Sequence, residues 1–338
     1  MIDIKSATSD ELATFITNCG VPAFRAKQIK KWLDAGAATF DEMTDLPLGL
    51  RQKLKGIFCI PSAVIRRKLI SRDGTVKYLF AFADGETVES VLMTYKYGVS
   101  QCLSTQVGCR MGCIFCATGM SGFSRNLSSA EMLAQIEAAQ DDGGLRVSSL
   151  VLMGMGEPLD NYDNVLRFLR MLSEPGGVHI GMRHVSLSTC GLVDKIYCLM
   201  EEKLQLTLSV SLHAPNDEIR MRTMPVAKRW PLAELLKAGR DYADATGRRV
   251  SYEYAMIDGL NDSDACASEL AAKLKGTLCH VNLIPVNPVA GTGHKRSSGE
   301  RIQNFSKILE AVRIPVTVRR NLGSDIRASC GQLKSMND

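Results

Sequence analysis

Apolar positions recur at helical spacing near the amino end of the chain and at strand spacing further on. Leu12, Phe15, Ile16 and Cys19 stand at i, i+3, i+4 and i+7, which predicts an amphipathic helix. Thr8-Ser9-Asp10-Glu11 forms a capping box at its start, and Gly20-Val21-Pro22 ends it. A second helix over 23–33 is expected to bury Phe24, Ile29 and Trp32 and to turn Arg25, Lys27, Lys30 and Lys31 outward. A third helical piece falls over 40–57, so residues 1–58 read as a small helical domain with a basic face. Residues 59–100 alternate as strands do, over 64–70, 77–82 and 87–93, with Asp73-Gly74 and Asp84-Gly85 as turns. This predicts a short antiparallel β extension.

Strands and helices then alternate over 101–338. Strands are expected at 103–106, 149–153, 184–188, 206–212, 250–256, 280–284 and 316–319. Helices are expected at 129–140, 162–172, 231–245, 265–273 and 299–312, the first capped by Ser128 with Glu131. That alternation means an α/β fold with a parallel sheet and crossover helices.

Composition narrows the class. The 338 residues are 45% hydrophobic and 23% charged, enough for one large domain and a small one. No apolar run reaches membrane-spanning length, and Met1-Ile2-Asp3-Ile4-Lys5 lacks the apolar segment of a secretory signal. Eleven cysteines in such a chain point to metal and redox chemistry in a reducing, cytoplasmic setting rather than to disulfide staples. The net charge of +5 permits a nucleic-acid partner without demanding one.

Three of those cysteines, Cys109, Cys113 and Cys116, share one short loop containing Gly112. Their C-x3-C-x2-C spacing lets three thiolates converge on zinc, Cu(I) or an iron–sulfur cluster. A closed site wants four ligands, and the next cysteine is Cys190. Three local ligands therefore suggest a [4Fe–4S] cluster with one iron open to a small molecule.

With Phe115 as its aromatic, the loop resembles the radical S-adenosylmethionine (SAM) signature. The stretch Cys102-Leu103-Ser104-Thr105-Gln106-Val107-Gly108-Cys109, then Gly154-Met155-Gly156-Glu157-Pro158, then Ala328-Ser329-Cys330-Gly331-Gln332-Leu333 resemble the RlmN/Cfr RNA methyltransferases. The resemblance runs over about 22–333. It implies a partial (β/α)6 barrel open along one side. It also implies an amino-terminal accessory domain that contacts RNA, carried by Pro22-Ala23-Phe24-Arg25-Ala26-Lys27-Gln28-Ile29.

The resemblance assigns roles as well. Cys109, Cys113 and Cys116 would hold the [4Fe–4S] cluster; Gly156, Glu157, Ser188, Ser211, Leu212, His213 and Asn287 would bind SAM. Cys330 would take a methyl group from one SAM, and a radical derived from a second would abstract hydrogen from that S-methyl. Glu89 would accept the ring proton, and Cys102 would release product by forming a transient disulfide with Cys330. Arg319, Arg320 and Arg327 surround Cys330 in sequence, and positive surroundings favour a thiolate.

The implied reaction methylates C2 of an adenosine in 23S rRNA near the peptidyl-transferase centre, and an anticodon-loop adenosine of tRNA. A flavodoxin or ferredoxin would supply electrons, and a monomer without membrane attachment is expected. Gln106-Val107-Gly108-Cys109 and Ile284-Pro285-Val286-Asn287-Pro288 lean to RlmN; Cys116-Ala117-Thr118-Gly119 leans to Cfr, which methylates C8 of the same rRNA adenosine and confers antibiotic resistance. A third reading is a non-catalytic, zinc-bearing RNA-binding protein, which leaves Glu157 and Cys330 unused. Phosphate contacts would come from Lys27, Lys30, Lys31, Arg66, Arg67, Lys68, Arg125, Lys295 and Arg296. Cys19, Cys59, Cys190, Cys198, Cys266 and Cys279 carry no motif and read as core or surface residues.

Overall fold

A computed structural model describes residues 2–173, 178–287, 289 and 292–334. Pro288 of the motif quoted above lies outside them.

The amino-terminal helices are Ser9–Asn18, Phe24–Asp34 and Leu48–Ile57, with a 3₁₀ turn at Phe40–Glu42. The Thr8 capping box forms: its hydroxyl accepts from Glu11 N at 3.1 Å, and Glu11 accepts from Thr8 N at 2.7 Å. Leu12, Ile16, Ile29, Leu33, Leu50 and Leu54 pack into a core separate from the rest of the chain. Phe24 does not join it. The buried face of its helix runs through Ala26, Ile29 and Leu33, and Phe24, one position off that face, is 54% exposed under the Arg25 guanidinium. Ile2–Asp3 pairs in parallel with Phe58–Cys59, which closes this part of the chain on itself.

One ten-stranded sheet organises the remainder. Its strands are β1 Val64–Ile70, β2 Val76–Ala81, β3 Thr87–Tyr95, β4 Gly98–Cys102, β5 Val147–Leu152, β6 Val185–Thr189, β7 Thr207–Ser211, β8 Val250–Met256, β9 Cys279–Pro285 and β10 Val316–Val318. They lie side by side in chain order. β1 to β4 pair antiparallel, and every pairing from β4 to β10 is parallel. The antiparallel extension is thus continuous with the parallel part, not an appendage.

Helices Ser129–Gly143, Tyr162–Met171, Val193–Glu201, Leu232–Thr246, Asp264–Leu274 and Gly299–Ala311 each join two successive parallel strands. Six such units with β1 and β10 left as edges make the partial (β/α)6 barrel. Outward-facing Leu187, Leu208, Tyr252 and Val281 bury against the helices, while the other face carries Ser186, Ser209, Glu253 and Asn282. The first parallel strand is Gly98–Cys102 rather than 103–106. Leu103 still bonds to Val151 O and Gly154 N, at 3.0 and 2.9 Å, and beyond it the Ser104 hydroxyl donates to Glu89 O and accepts from Met155 N, 2.6 and 2.9 Å away.

Candidate active site

Parallel strands end at their functional face. There, beyond β5 to β9, lies a cavity of about 160 Å³. Its walls bring together Cys109, Cys113, Cys116, Gly156, Glu157, Ser188, Ser211, His213, Asn287 and Cys330. Leu212 is not among them, being fully buried in the core. Cys102 and Glu89 stand outside this lining too. A larger cleft, about 500 Å³, separates the amino-terminal helices from the barrel and contains no thiol.

The cysteine loop is clamped from several sides. Cys109 N donates to Gly122 O at 2.7 Å, Ile114 N to Thr223 O at 3.1 Å, and Ala117 N to Gly331 O at 2.8 Å. Arg110 stacks on Phe123 and pairs with Asp160 at 3.0 Å. Burial pushes the Cys109 thiol up to about 12, and burial with two neighbouring thiols raises Cys113 further. Among the described residues, no three Cys, His, Asp or Glu side chains close on a common point as metal ligands do. The three thiols instead flank one cavity as soft donors whose ionisation a bound cation would have to favour. That donor set, on one loop and facing one space, fits a cluster.

Glu157 forms the opposite wall. Gly156 before it has φ +98, and a Cβ there would fall 2.6 Å from Gln106 Cβ, so only glycine allows the approach. Gln106 Oε1 accepts from Glu157 N at 2.8 Å and fixes the turn. The Glu157 carboxylate accepts from Cys190 N at 2.7 Å and Leu159 N at 3.0 Å. Burial still raises its pKa against those donors. The Thr189 hydroxyl and the Cys190 thiol also reach this carboxylate, so an ammonium binding here would have to displace one of these donors.

His213 sits in the left-handed region at φ +54. Its Nδ1 accepts from Ala255 N at 2.9 Å, so Nε2 carries the proton of the neutral ring. Burial, helped by Arg220, pushes its pKa down to about 3. The ring meets Phe115 edge-on at 4.8 Å, which joins this wall to the cysteine loop.

The carboxyl-terminal segment crosses the cavity as a strap. Asn287 Nδ2 donates to Cys330 O at 3.1 Å, and Thr118 Oγ1 to Leu333 O at 2.7 Å. Arg319 lines the same cavity, and the groups around it, Glu253 among them, raise its pKa above the ordinary arginine value despite burial. Burial pushes Cys102 up to about 12.

Glu89 is placed differently. It is 3% exposed, ion-paired with Lys77 at 2.8 Å, and accepts from Lys334 N at 2.9 Å. It faces a second cavity, shared with Arg67 and Arg327, beneath the strap. Arg125, offered above as a phosphate contact, is consumed by Asp84 and Glu131, at 2.6 and 2.8 Å.

Sequence reasoning passed over Glu253 and Arg220. Glu253 is buried, accepts from Ser251 and from Asn282, and lines the cavity beside Arg319. Its signal was a carboxylate inside a strand with no other charged residue, Val250–Met256. Arg220 is fully buried behind Cys190, whose carbonyl accepts from it at 2.6 Å. Its guanidinium Nε and Nη1 have no hydrogen-bond partner. No sequence pattern distinguished it from the surface arginines around it.

Residues 2–60 match the ribosomal RNA large subunit methyltransferase N-terminal domain, and residues 103–268 match the Radical SAM superfamily. A probable dual-specificity RNA methyltransferase RlmN from Lachnoclostridium phytofermentans is 51% identical over 98% of this chain and 94% of its own length. One of the same description from Alkaliphilus oremlandii is 50% identical over 98% and 97%. The crystal structure of a radical SAM methyltransferase from Sphaerobacter thermophilus superimposes with a TM-score of 0.91 at 45% identity, covering 98% of this chain and 99% of that one.

Proposed function

The chain belongs to the RlmN family of radical SAM RNA methyltransferases, and from that premise we propose that it methylates C2 of an adenosine in 23S rRNA and an anticodon-loop adenosine of tRNA. Residues 1–58 serve as the RNA-contacting domain, 59–100 as the β extension and 101–338 as the catalytic barrel. The reading is carried by one observation: Cys330, far along the chain, faces the same cavity as the three loop cysteines, and Arg319 lines that cavity too.

Cys109, Cys113 and Cys116 would hold the [4Fe–4S] cluster, and Glu157, Ser188, Ser211, His213 and Asn287 the SAM. When bound, that pair supplies the methyl group and one-electron hydrogen abstraction. Cys330, in the cavity that Arg319 also lines, takes the methyl group on its sulfur. After hydrogen loss the S-methylene carbon bonds to the purine carbon. Glu89 takes the ring proton, which requires the strap segment at Lys334 to release its carboxylate. Cys102, as thiolate, attacks the Cys330 sulfur; the sulfur–carbon bond breaks, the freed methylene carbon takes a proton to become the methyl group, the unpaired electron would pass back to the one-electron carrier that supplied it, and a disulfide remains for an external thiol to reduce. Leu212 contributes its backbone alone, since its side chain is in the core.

Cys330→Ala is expected to give neither methylated protein nor modified RNA. Cys102→Ala is expected to trap RNA covalently on Cys330. Mass spectrometry of the nucleoside against C2- and C8-methyladenosine standards checks the position. Full turnover by the Cys330 variant, or C8-methyladenosine as product, overturns the reading.

A further inference from the structure

Lys77 is 5% exposed, and with Glu89, 2.8 Å away, it makes the most sheltered ion pair among the described residues. Cohesion alone is a poor account of such a pair. Taking two charges out of water is costly, and well-packed apolar side chains commonly hold a fold at least as firmly.

The strand register shows where the pair stands. Lys77 pairs with Val91, Val91 with Cys102, Cys102 with Val151 and Val151 with Ser186, so these residues form one row across β2 to β6. Paired residues point the same way, which puts Lys77 and Cys102 on the face that carries Ser186, two strands or roughly 10 Å apart. Glu89 comes two residues before Val91 on that same face. Because β3 runs against β4, this step leads towards the end at which the parallel strands stop. Ser104, just past β4, donates to Glu89 O at 2.6 Å there.

The carboxyl-terminal strap rests on the pair from both sides of Cys330. Arg327 O accepts from Lys77 Nζ at 3.3 Å, and Lys334 N donates to Glu89 Oε2 at 2.9 Å. Lys77 holds the other oxygen, Oε1. Release of Lys334 would leave Oε2 free beside the cavity of about 220 Å³ that Glu89 lines with Arg67 and Arg327, with Oε1 still on the ammonium.

We propose that Lys77 is the positioning residue of the base: it anchors the Glu89 carboxylate by one oxygen and presents the other to the ring proton of the target purine. The ring C–H bond breaks, the proton passes to Oε2, and the electron pair of that bond stays in the ring. Lys77 itself touches no substrate. The proposal rests on the role given to Glu89 above.

The test is single-turnover methylation by the cluster-loaded full chain, on rRNA fragments bearing hydrogen or deuterium at C2 of the target adenosine. Two products are followed: the methyl group on Cys330, which forms before RNA reacts, and the methylated nucleoside. Lys77→Met should leave Cys330 methylation intact and slow nucleoside formation about a hundredfold, as a misplaced catalytic group does. Its deuterium isotope effect should exceed the wild type's, because proton loss has become the slow step. Lys77→Arg, which keeps a cation, should recover most of the rate and lose the excess isotope effect. On a Glu89→Gln background, Lys77→Met should cost nothing further.

A slowed Lys77→Met protein whose isotope effect equals the wild type's overturns the proposal and leaves the methyltransferase reading intact. So does one that methylates RNA at the full rate. Loss of Cys330 methylation in both Lys77 variants would make the pair a structural brace and overturns it as well. A wild type that puts no methyl group on C2 removes the reading beneath it.

Discussion

His213 illustrates how one side chain can serve a site by never becoming charged. Its Nδ1 is committed to Ala255 N, and its pKa near 3 keeps the ring neutral throughout the working range. An unfolded chain would protonate the same residue near 6.5. As pH falls below 6.5, the unfolded state therefore gains a proton that the folded state refuses. Stability from this group is complete above 6.5 and drains away toward 3. The loss should reach about 2 kcal/mol between pH 6.5 and pH 5. Urea midpoints at those two pH values, compared between wild type and His213→Gln, measure it; equal slopes would show that another group dominates. The sequence placed His213 at a strand end, as it did Ser188, Ser211 and Asn287, because strand-end positions follow from periodicity. It could not show which ring nitrogen is engaged, because Ala255 lies 42 residues away. Glu89 was harder still. Its partner Lys77 follows from the antiparallel register of β2 and β3, and its cover, Lys334, comes from the far end of the chain.

At the scale of elements, most helices and strands were legible because their periodic runs are long and their caps explicit. Val250–Met256 matches its expected bounds, and Gly299–Ala311 differs from them by one residue. The exceptions are pieces whose shape depends on distant partners, as at Ser104. The carboxyl-terminal strap is the chief example: few regular elements follow β10, and side chains hold the segment in place. Asp73 accepts from Gly323 N at 2.8 Å and from Thr75 N at 2.9 Å. Burial alone would raise its pKa, but those donors outweigh it and bring the value down to about 2. This anchor is complete above the ordinary carboxylate value near 3.9 and fails only as pH falls through 2. At neutral pH, substitution is therefore the way to release it. Asp73→Ala should make Cys330 react with iodoacetamide roughly fivefold faster through local opening, with the global melt nearly unchanged. No change in alkylation rate would mean that the other contacts on the strap, those of Asn287, Thr118, Ala117 and Glu89 among them, hold it without Asp73.

At the scale of the molecule, two cores meet across a cleft of about 500 Å³, and few bonds cross it. Lys5 Nζ pairs with Glu137 at 2.7 Å, Ser6 and Ser129 share a hydrogen bond of 2.7 Å, and Ser128 donates to Asp3 at 3.1 Å. The Lys5 side chain is 9% exposed and the Glu137 side chain 35%, so this is the most sheltered ion pair crossing that boundary among the described residues. A polar, sparse interface permits relative motion of its two sides. An enzyme that must grip a folded RNA while opening it for one base gains from such freedom, because the gripping part can adapt without straining the cavity. Lys5→Met removes the ion pair while leaving Glu137 partly in water, so the cost should be near 1 kcal/mol rather than that of a stranded buried charge. Hydrogen exchange should then quicken together across Ser9–Asn18, Phe24–Asp34 and Leu48–Ile57, while β5 to β9 keep their protection. KM for RNA should rise, with cluster loading unaltered. If the barrel strands lost protection as well, the two cores would be one cooperative unit, and the accessory role given to residues 1–58 would have to be argued without independent motion.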